Sequence, residues 1–117
     1  MSALEIIIYN TYIKKEPFTE WLLDLDTTTR AIVVTRLKRL NLGNFGDCKK
    51  LQNILGVWEL RIDYGAGYRV YFGKESNKII ILLVGGDKGS QTRDIIKAQR
   101  YWLDYKGQKD GTKKKNL

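Results

Sequence analysis

The sequence predicts an α+β fold, and three observations carry that prediction. The order of elements along the chain is strand, helix, helix, three or four strands, helix. The late strands are joined by short turns, which makes them an antiparallel meander. The two consecutive helices group at one end of the sequence, which favours a helical layer against a sheet over a doubly wound parallel sheet. With 117 residues, the chain fits one domain with one modest core.

The elements follow in order. Leu4 to Tyr9 (LEIIIY) is apolar and β-branched, so it is a strand. Glu16-Pro17 opens a helix, with proline at a first-turn position. Phe18, Trp21, Leu22 and Leu25 form its apolar stripe. Asp26 and three threonines end this helix and cap the next, which runs from about Thr28 to Leu42. In that helix Val33, Leu37 and Leu40 face inward, Arg36, Lys38 and Arg39 face out, and Gly43 suits the C-terminal cap. The pair forms a helical hairpin. NFGD is a turn-rich link, and Lys49 to Leu55 is a short strand. Trp58, Leu60 and Ile62 alternate with Glu59, Arg61 and Asp63, and Tyr68, Val70 and Phe72 alternate with Arg69 and Tyr71. After a GKESN turn, Ile79 to Val84 is apolar throughout, as in a central strand buried on both faces. GGDKGSQ is a loop. A last helix spans about Gln91 to Lys106, with Ile95, Ala98, Trp102 and Tyr105 on one side. The expected domain is residues 1–106, and residues 107–117 are a basic tail read as disordered.

Composition narrows the chemistry. The net charge is +8 and the pI about 9.6. Residues 1–46 hold six Lys/Arg against five Asp/Glu, whereas residues 47–117 hold fifteen against eight, so the excess lies in the second half. That asymmetry supports a nucleic-acid partner. Histidine is absent, which removes the commonest general acid/base and metal ligand. The single cysteine, Cys48, forms no internal disulfide and no metal site, so neither metal nor cofactor is expected and a reducing cytoplasm is the natural compartment. No apolar run is long enough for a membrane span, and the first ten residues lack the pattern of a signal peptide.

The stretch ELRIDYGAGYRVYFG sets two arginines around a Gly-Ala-Gly turn. A three-residue turn, Gly65-Ala66-Gly67, keeps the apolar residues on one face. It places Ile62 opposite Val70, Leu60 opposite Phe72, Asp63 opposite Arg69 and Arg61 opposite Tyr71. Arg61 and Arg69 are then diagonal neighbours, close enough to share one ligand. Two readings follow: an Asp63–Arg69 surface ion pair, worth at most about 1 kcal/mol, or an anion site. The loop GGDKGSQTR, with Lys88 and Arg93, and CKKL, with Lys49 and Lys50, bring further positive charge for the second reading.

NFGDCKKL, GVWELRIDYGAGYRVYFG, LLVGGDKGSQTRDI and the EPFTEWLLDL helix, in this order and spacing, resemble the RelE/ParE toxin superfamily, in its phage-Gp49/HigB-like branch. The resemblance spans roughly residues 4–106 and implies a twisted antiparallel sheet packed against the N-terminal helical hairpin, with a C-terminal helix. It implies the toxin of a type II toxin–antitoxin pair, a metal-independent, ribosome-dependent mRNA endonuclease. Its implied partners are mRNA, the ribosome and a cognate antitoxin of helix-turn-helix type. ParE-like relatives share the fold but poison DNA gyrase, and an inactive relative that only binds nucleic acid or antitoxin is a third reading.

Cleavage by the RNA's own 2′-OH needs a proton acceptor, a proton donor and cations for the extra charge on phosphorus. By the resemblance, Arg69 contacts the scissile phosphate, Arg61 is the basic residue on the preceding strand and Lys88 is the basic residue of the loop after the central strand. The aromatic or histidine that relatives carry near the last helix is missing from RDIIKAQ, which leaves Lys88 or Asp63 to take the proton, with Asp87 behind them. Lys49, Lys50 and Arg93 are expected to track RNA phosphates, and Tyr71 to stack on a base or donate a proton.

Overall fold

The computed structural model describes residues 4–52, 54 and 56–115. A five-stranded sheet lies between two helical layers. Its strands are β1 (Glu5–Ile8), β2 (Cys48–Lys50), β3 (Val57–Ile62), β4 (Tyr68–Ser76) and β5 (Ile79–Asp87), in the order β1-β5-β4-β3-β2. All neighbours are antiparallel except β1, which runs parallel to β5. The connection from β1 to its partner passes through most of the chain, long enough for a parallel crossover. The expected α+β architecture, with its helical hairpin and C-terminal helix, is the observed one.

The hairpin helices are α1 (Pro17–Leu23) and α2 (Thr27–Asn41). Proline stands in the first turn of α1, where its missing N–H costs nothing. Asp26 caps α2: its carboxylate accepts from the Thr29 amide at 3.1 Å and from the Thr29 hydroxyl at 2.5 Å. Both bonds hold the Asp26 carboxyl below its ordinary range. Arg30 reaches back to the end of α1 and donates to the carbonyls of Leu22, Leu23 and Leu25 at 3.4, 3.1 and 3.1 Å. One guanidinium thus satisfies the bare C-terminal carbonyls of α1 and fixes the angle of the hairpin.

The two helical layers bury separate cores. Phe18, Val33 and Leu40 pack on Leu60, Ile62, Val70, Phe72, Ile80 and Leu82. On the opposite face Ala98 and Trp102 of the third helix pack on Val57, Tyr71, Ile81, Leu83 and Val84. The face that carries Arg61 and Arg69 is therefore covered by a helix along much of its length.

Four boundaries differ from expectation. Most of the expected GKESN turn is strand: β4 runs on through Gly73–Ser76, which pair along β5. The strand placed at Lys49 to Leu55 is only Cys48–Lys50, since Leu51 turns back to bond the Val57 carbonyl at 3.0 Å. The central strand continues through Gly85, Gly86 and Asp87, where a loop is expected, because they pair with Val70, Arg69 and Tyr68. The last helix, α3, spans Gln91–Lys115 and passes the expected end at Lys106. Gly107 costs that helix about 1 kcal/mol relative to alanine, but the Gln108 amide bonds Asp104 one turn back at 2.7 Å and the Asn10 carbonyl at 3.4 Å. Residues 116 and 117 of the basic tail lie outside the described residues.

The register of the β3–β4 hairpin also differs. Ile62 pairs with Tyr68, Arg61 with Arg69, Leu60 with Val70 and Glu59 with Tyr71. The loop is Asp63–Gly67, two residues longer than the expected Gly-Ala-Gly turn. It closes with a Gly67 amide to Tyr64 carbonyl bond at 2.9 Å, and Gly65 and Gly67 take φ of 53° and 79°. A shift of two residues keeps every side chain on its face, so the alternation fits either register.

Candidate functional site

In this register two arginines face each other directly across the strands. Like charges so placed repel, and the sheet answers with a buried carboxylate. Glu59 is 1% exposed, and its Oε1 accepts from Arg61 Nε at 3.1 Å and from Arg69 Nη1 at 3.1 Å. Its Oε2 accepts from Gln91 Nε2 at 2.8 Å, at the positive N-terminal end of α3. Burial alone pushes the Glu59 carboxyl up, but the bonds from Gln91 and Arg61 and the charge of Arg69 outweigh it and hold the carboxyl below its usual range.

The arginines pass from this anchor into a cleft of about 260 Å³, lined by Asp47, Arg61, Asp63, Tyr68, Arg69 and Lys88, with Ile62 and Gly67. Arg61 reaches it from β3, Arg69 from β4 and Lys88 from the 3₁₀ turn Lys88–Ser90 that follows β5. The side chain of Arg61 is 40% exposed and that of Arg69 is 12% exposed. Arg69 Nε is buried without a hydrogen-bond partner. Four residues expected at the site, Arg61, Asp63, Arg69 and Lys88, are thus brought together.

The others are placed elsewhere. The Asp63–Arg69 ion pair does not form: Asp63 is exposed in the loop and Arg69 bonds Glu59. Tyr71 is fully buried against α3 and offers no face for a base to stack on. Its hydroxyl has no hydrogen-bond partner among the described residues. Burial, with the negative charge of Glu59, raises its pKa so far that the proton stays in place. Lys49 and Lys50 are exposed on the edge strand β2, outside the cleft. Arg93 lines a second, larger cleft of about 750 Å³ between α1, the end of β5 and α3, with Trp21, Asp94, Lys97 and Tyr101. Asp87 is engaged in a capping box: its carboxylate accepts from the Ser90 amide at 3.0 Å while its own amide donates to the Ser90 hydroxyl at 3.2 Å. Ser90 in turn donates to Asp94.

Glu59 and Gln91 were not among the expected site residues. Glu59 shares the parity of Arg61 and stands two residues before it, which puts the two side chains on one face. That signal was legible. Gln91 carries no signal in the sequence, because only the packing of α3 brings it to the sheet.

The arrangement gives one small cleft with three cations from three elements, two of them fixed from behind by a buried carboxylate. Two comparisons bear on it. The chain is 46% identical over 83 residues to an uncharacterized protein of Haemophilus influenzae, an overlap of 70% of this chain and 82% of the relative. The model of the family described as phage derived protein Gp49-like (DUF891) matches residues 20–101, a span that holds the second half of α1, all of α2, all of β2 to β5 and the cleft. By fold and by this match, the chain belongs to the Gp49-like family of phage-derived proteins, in the HigB-like branch of the RelE/ParE toxin superfamily.

Proposed function

We propose that the protein is the toxin of a type II toxin–antitoxin pair and cuts mRNA on the ribosome. The observation that carries this reading is the convergence of Arg61, Arg69 and Lys88 on one cleft. Such a cluster fits a phosphodiester whose charge rises during reaction. Attack of the 2′-OH on phosphorus adds negative charge to the non-bridging oxygens, and fixed guanidinium and ammonium groups lower that barrier. Asp63 lines the cleft without an ion pair among the described residues, and we assign it acceptance of the 2′ proton; the P–O5′ bond then breaks to leave a 2′,3′-cyclic phosphate, and the Lys88 ammonium gives the departing 5′ oxygen its proton. Tyr71 is not the proton donor in this scheme, since its hydroxyl is sealed under α3. The reaction takes place in the cytoplasm, and a cognate antitoxin of helix-turn-helix type holds the toxin inactive. No described helix is long and apolar enough to cross a membrane.

The test is primer extension on a defined mRNA with purified protein, with and without translating ribosomes. Lys88→Ala and Arg69→Ala serve as controls, each checked for folding by circular dichroism. Cuts that need ribosomes and vanish in both folded variants are the expected result. Absence of cuts in every condition overturns the nuclease reading. Inhibition of DNA gyrase supercoiling by the same sample would then place the protein functionally with its ParE-like relatives.

A further inference from the structure

We propose that Glu59 is a positioning residue of the cleft: it aims Arg61 and Arg69 at a single oxyanion, and Gln91 holds it in place. The inference rests on the cleft being a phosphate site, and it assigns a task to a residue that touches no substrate.

Three observations support it. First, both arginines bond the same carboxylate oxygen, at 3.1 Å each, so their guanidinium groups are fixed relative to one another and not only to the sheet. Second, Arg61 spends its Nε and Arg69 its Nη1 on Glu59. Among the described residues the other N–H groups of the pair have no protein acceptor, and both side chains line the cleft. A planar guanidinium held by one edge presents the other edge in a fixed direction. Third, the remaining oxygen of Glu59 is tied by Gln91 at 2.8 Å, so the anchor is itself anchored to the first residue of α3. The carboxylate is 1% exposed, out of reach of any ligand in the cleft.

The sign of one substitution separates aim from charge. Glu59→Gln removes a negative charge beside the two arginines and makes the site more positive. If the arginines act only by charge, the variant binds an anion more tightly. If Glu59 aims them, the variant binds a small oxyanion less tightly, although it is more positive.

The measurement is a titration of the full-length protein with inorganic phosphate, followed by the arginine Nε–H signals in nitrogen-15 NMR. In the wild type the Arg61 and Arg69 signals should be protected from exchange and move together with one affinity. In Glu59→Gln the protection of the Arg61 Nε–H, which bonds Glu59 directly, should be lost and phosphate affinity should fall about tenfold or more, the scale of a lost hydrogen bond to a charged group. Equal or tighter phosphate binding by folded Glu59→Gln overturns the proposal, as does a wild type that binds no phosphate at the arginines. If Glu59→Gln does not fold, Gln91→Leu decides. It leaves both arginine bonds but frees the carboxylate to swing, and an affinity equal to wild type overturns the proposal. The titration needs no ribosome, so a protein that binds phosphate through this clamp yet cuts no mRNA loses the nuclease reading and keeps the clamp.

Discussion

At the scale of single residues the decisive feature is a carboxylate in the wrong place for a surface. Glu59 is nearly unexposed, yet it is held ionised by three side chains from β3, β4 and α3. Its folded pKa lies below its ordinary value of 4.5. The stability it contributes is therefore complete above that value and is lost as the pH falls through the folded pKa. Urea denaturation midpoints should be flat from neutral pH down to about 5 and drop below it. In Glu59→Gln the acid limb should be shallower. Arg69→Ala should cost about 1–3 kcal/mol, because Arg61 and Gln91 remain on the carboxylate. That is more than an exposed arginine would cost, and denaturant unfolding measures it. Cys48 lies half-buried on β2 beside β3, and burial, against the nearby Arg36, pushes its thiol up to about 11. A thiol reagent at neutral pH should label it slowly in the native protein and fast in urea. Of these residues the arginines were legible by type and parity. The partner of Arg69 was not, because a turn of three residues and one of five leave the same faces outward and differ only in who stands opposite whom.

At the scale of elements the sequence pattern located every α-helix and strand among the described residues but misjudged where several stop. The reason is the same at the C-terminal ends of β5 and α3: glycine. Gly85 and Gly86 look like loop, yet they pair with Val70 and Arg69 because the strand must pass close under other groups. A side chain at Gly85 would strike the ring of Trp21, and one at Gly73 the ring of Trp102. These two glycines are notches that admit α1 on one face and α3 on the other. Gly73→Ala and Gly85→Ala should each lose about 1–3 kcal/mol by overpacking, measured as a lower melting temperature with unchanged far-ultraviolet circular dichroism. Gly107 misled in the same direction, since a helix with tertiary contacts on its flank tolerates a glycine. Ending the chain after Gln108 should keep the Asn10 contact and lower the melting temperature by less than about 4 °C, while helical ellipticity falls.

At the scale of the whole molecule the charge asymmetry read from the sequence meets the fold. The basic second half supplies β3, β4 and the turn after β5, which are the elements that line the cleft. The proposed binding to ribosomes or RNA should therefore weaken steeply with salt. Sedimentation with ribosomes over a range of potassium chloride concentrations checks this, and Lys88→Ala should flatten the slope. The fold class was legible because hydrophobic periodicity is a local property. Coverage of the arginine face by α3 was not, since it depends on where a helix returns in space after β5. Burial of Tyr71 follows from that return alone.

The two glycine notches have a practical consequence. Trp21 sits over Gly85 in the layer of the helical hairpin, and Trp102 over Gly73 in the layer of α3. Trp58, the third tryptophan, faces the hairpin layer with the Lys74 ammonium 4.8 Å from its ring centroid. With Trp58 replaced by phenylalanine and one notch tryptophan retained at a time, intrinsic fluorescence becomes a layer-specific probe. Emission from Trp21 would report release of one side of the sheet and emission from Trp102 release of the other. Stopped-flow traces of the two proteins would then show whether both layers leave the sheet in a single event or one after the other.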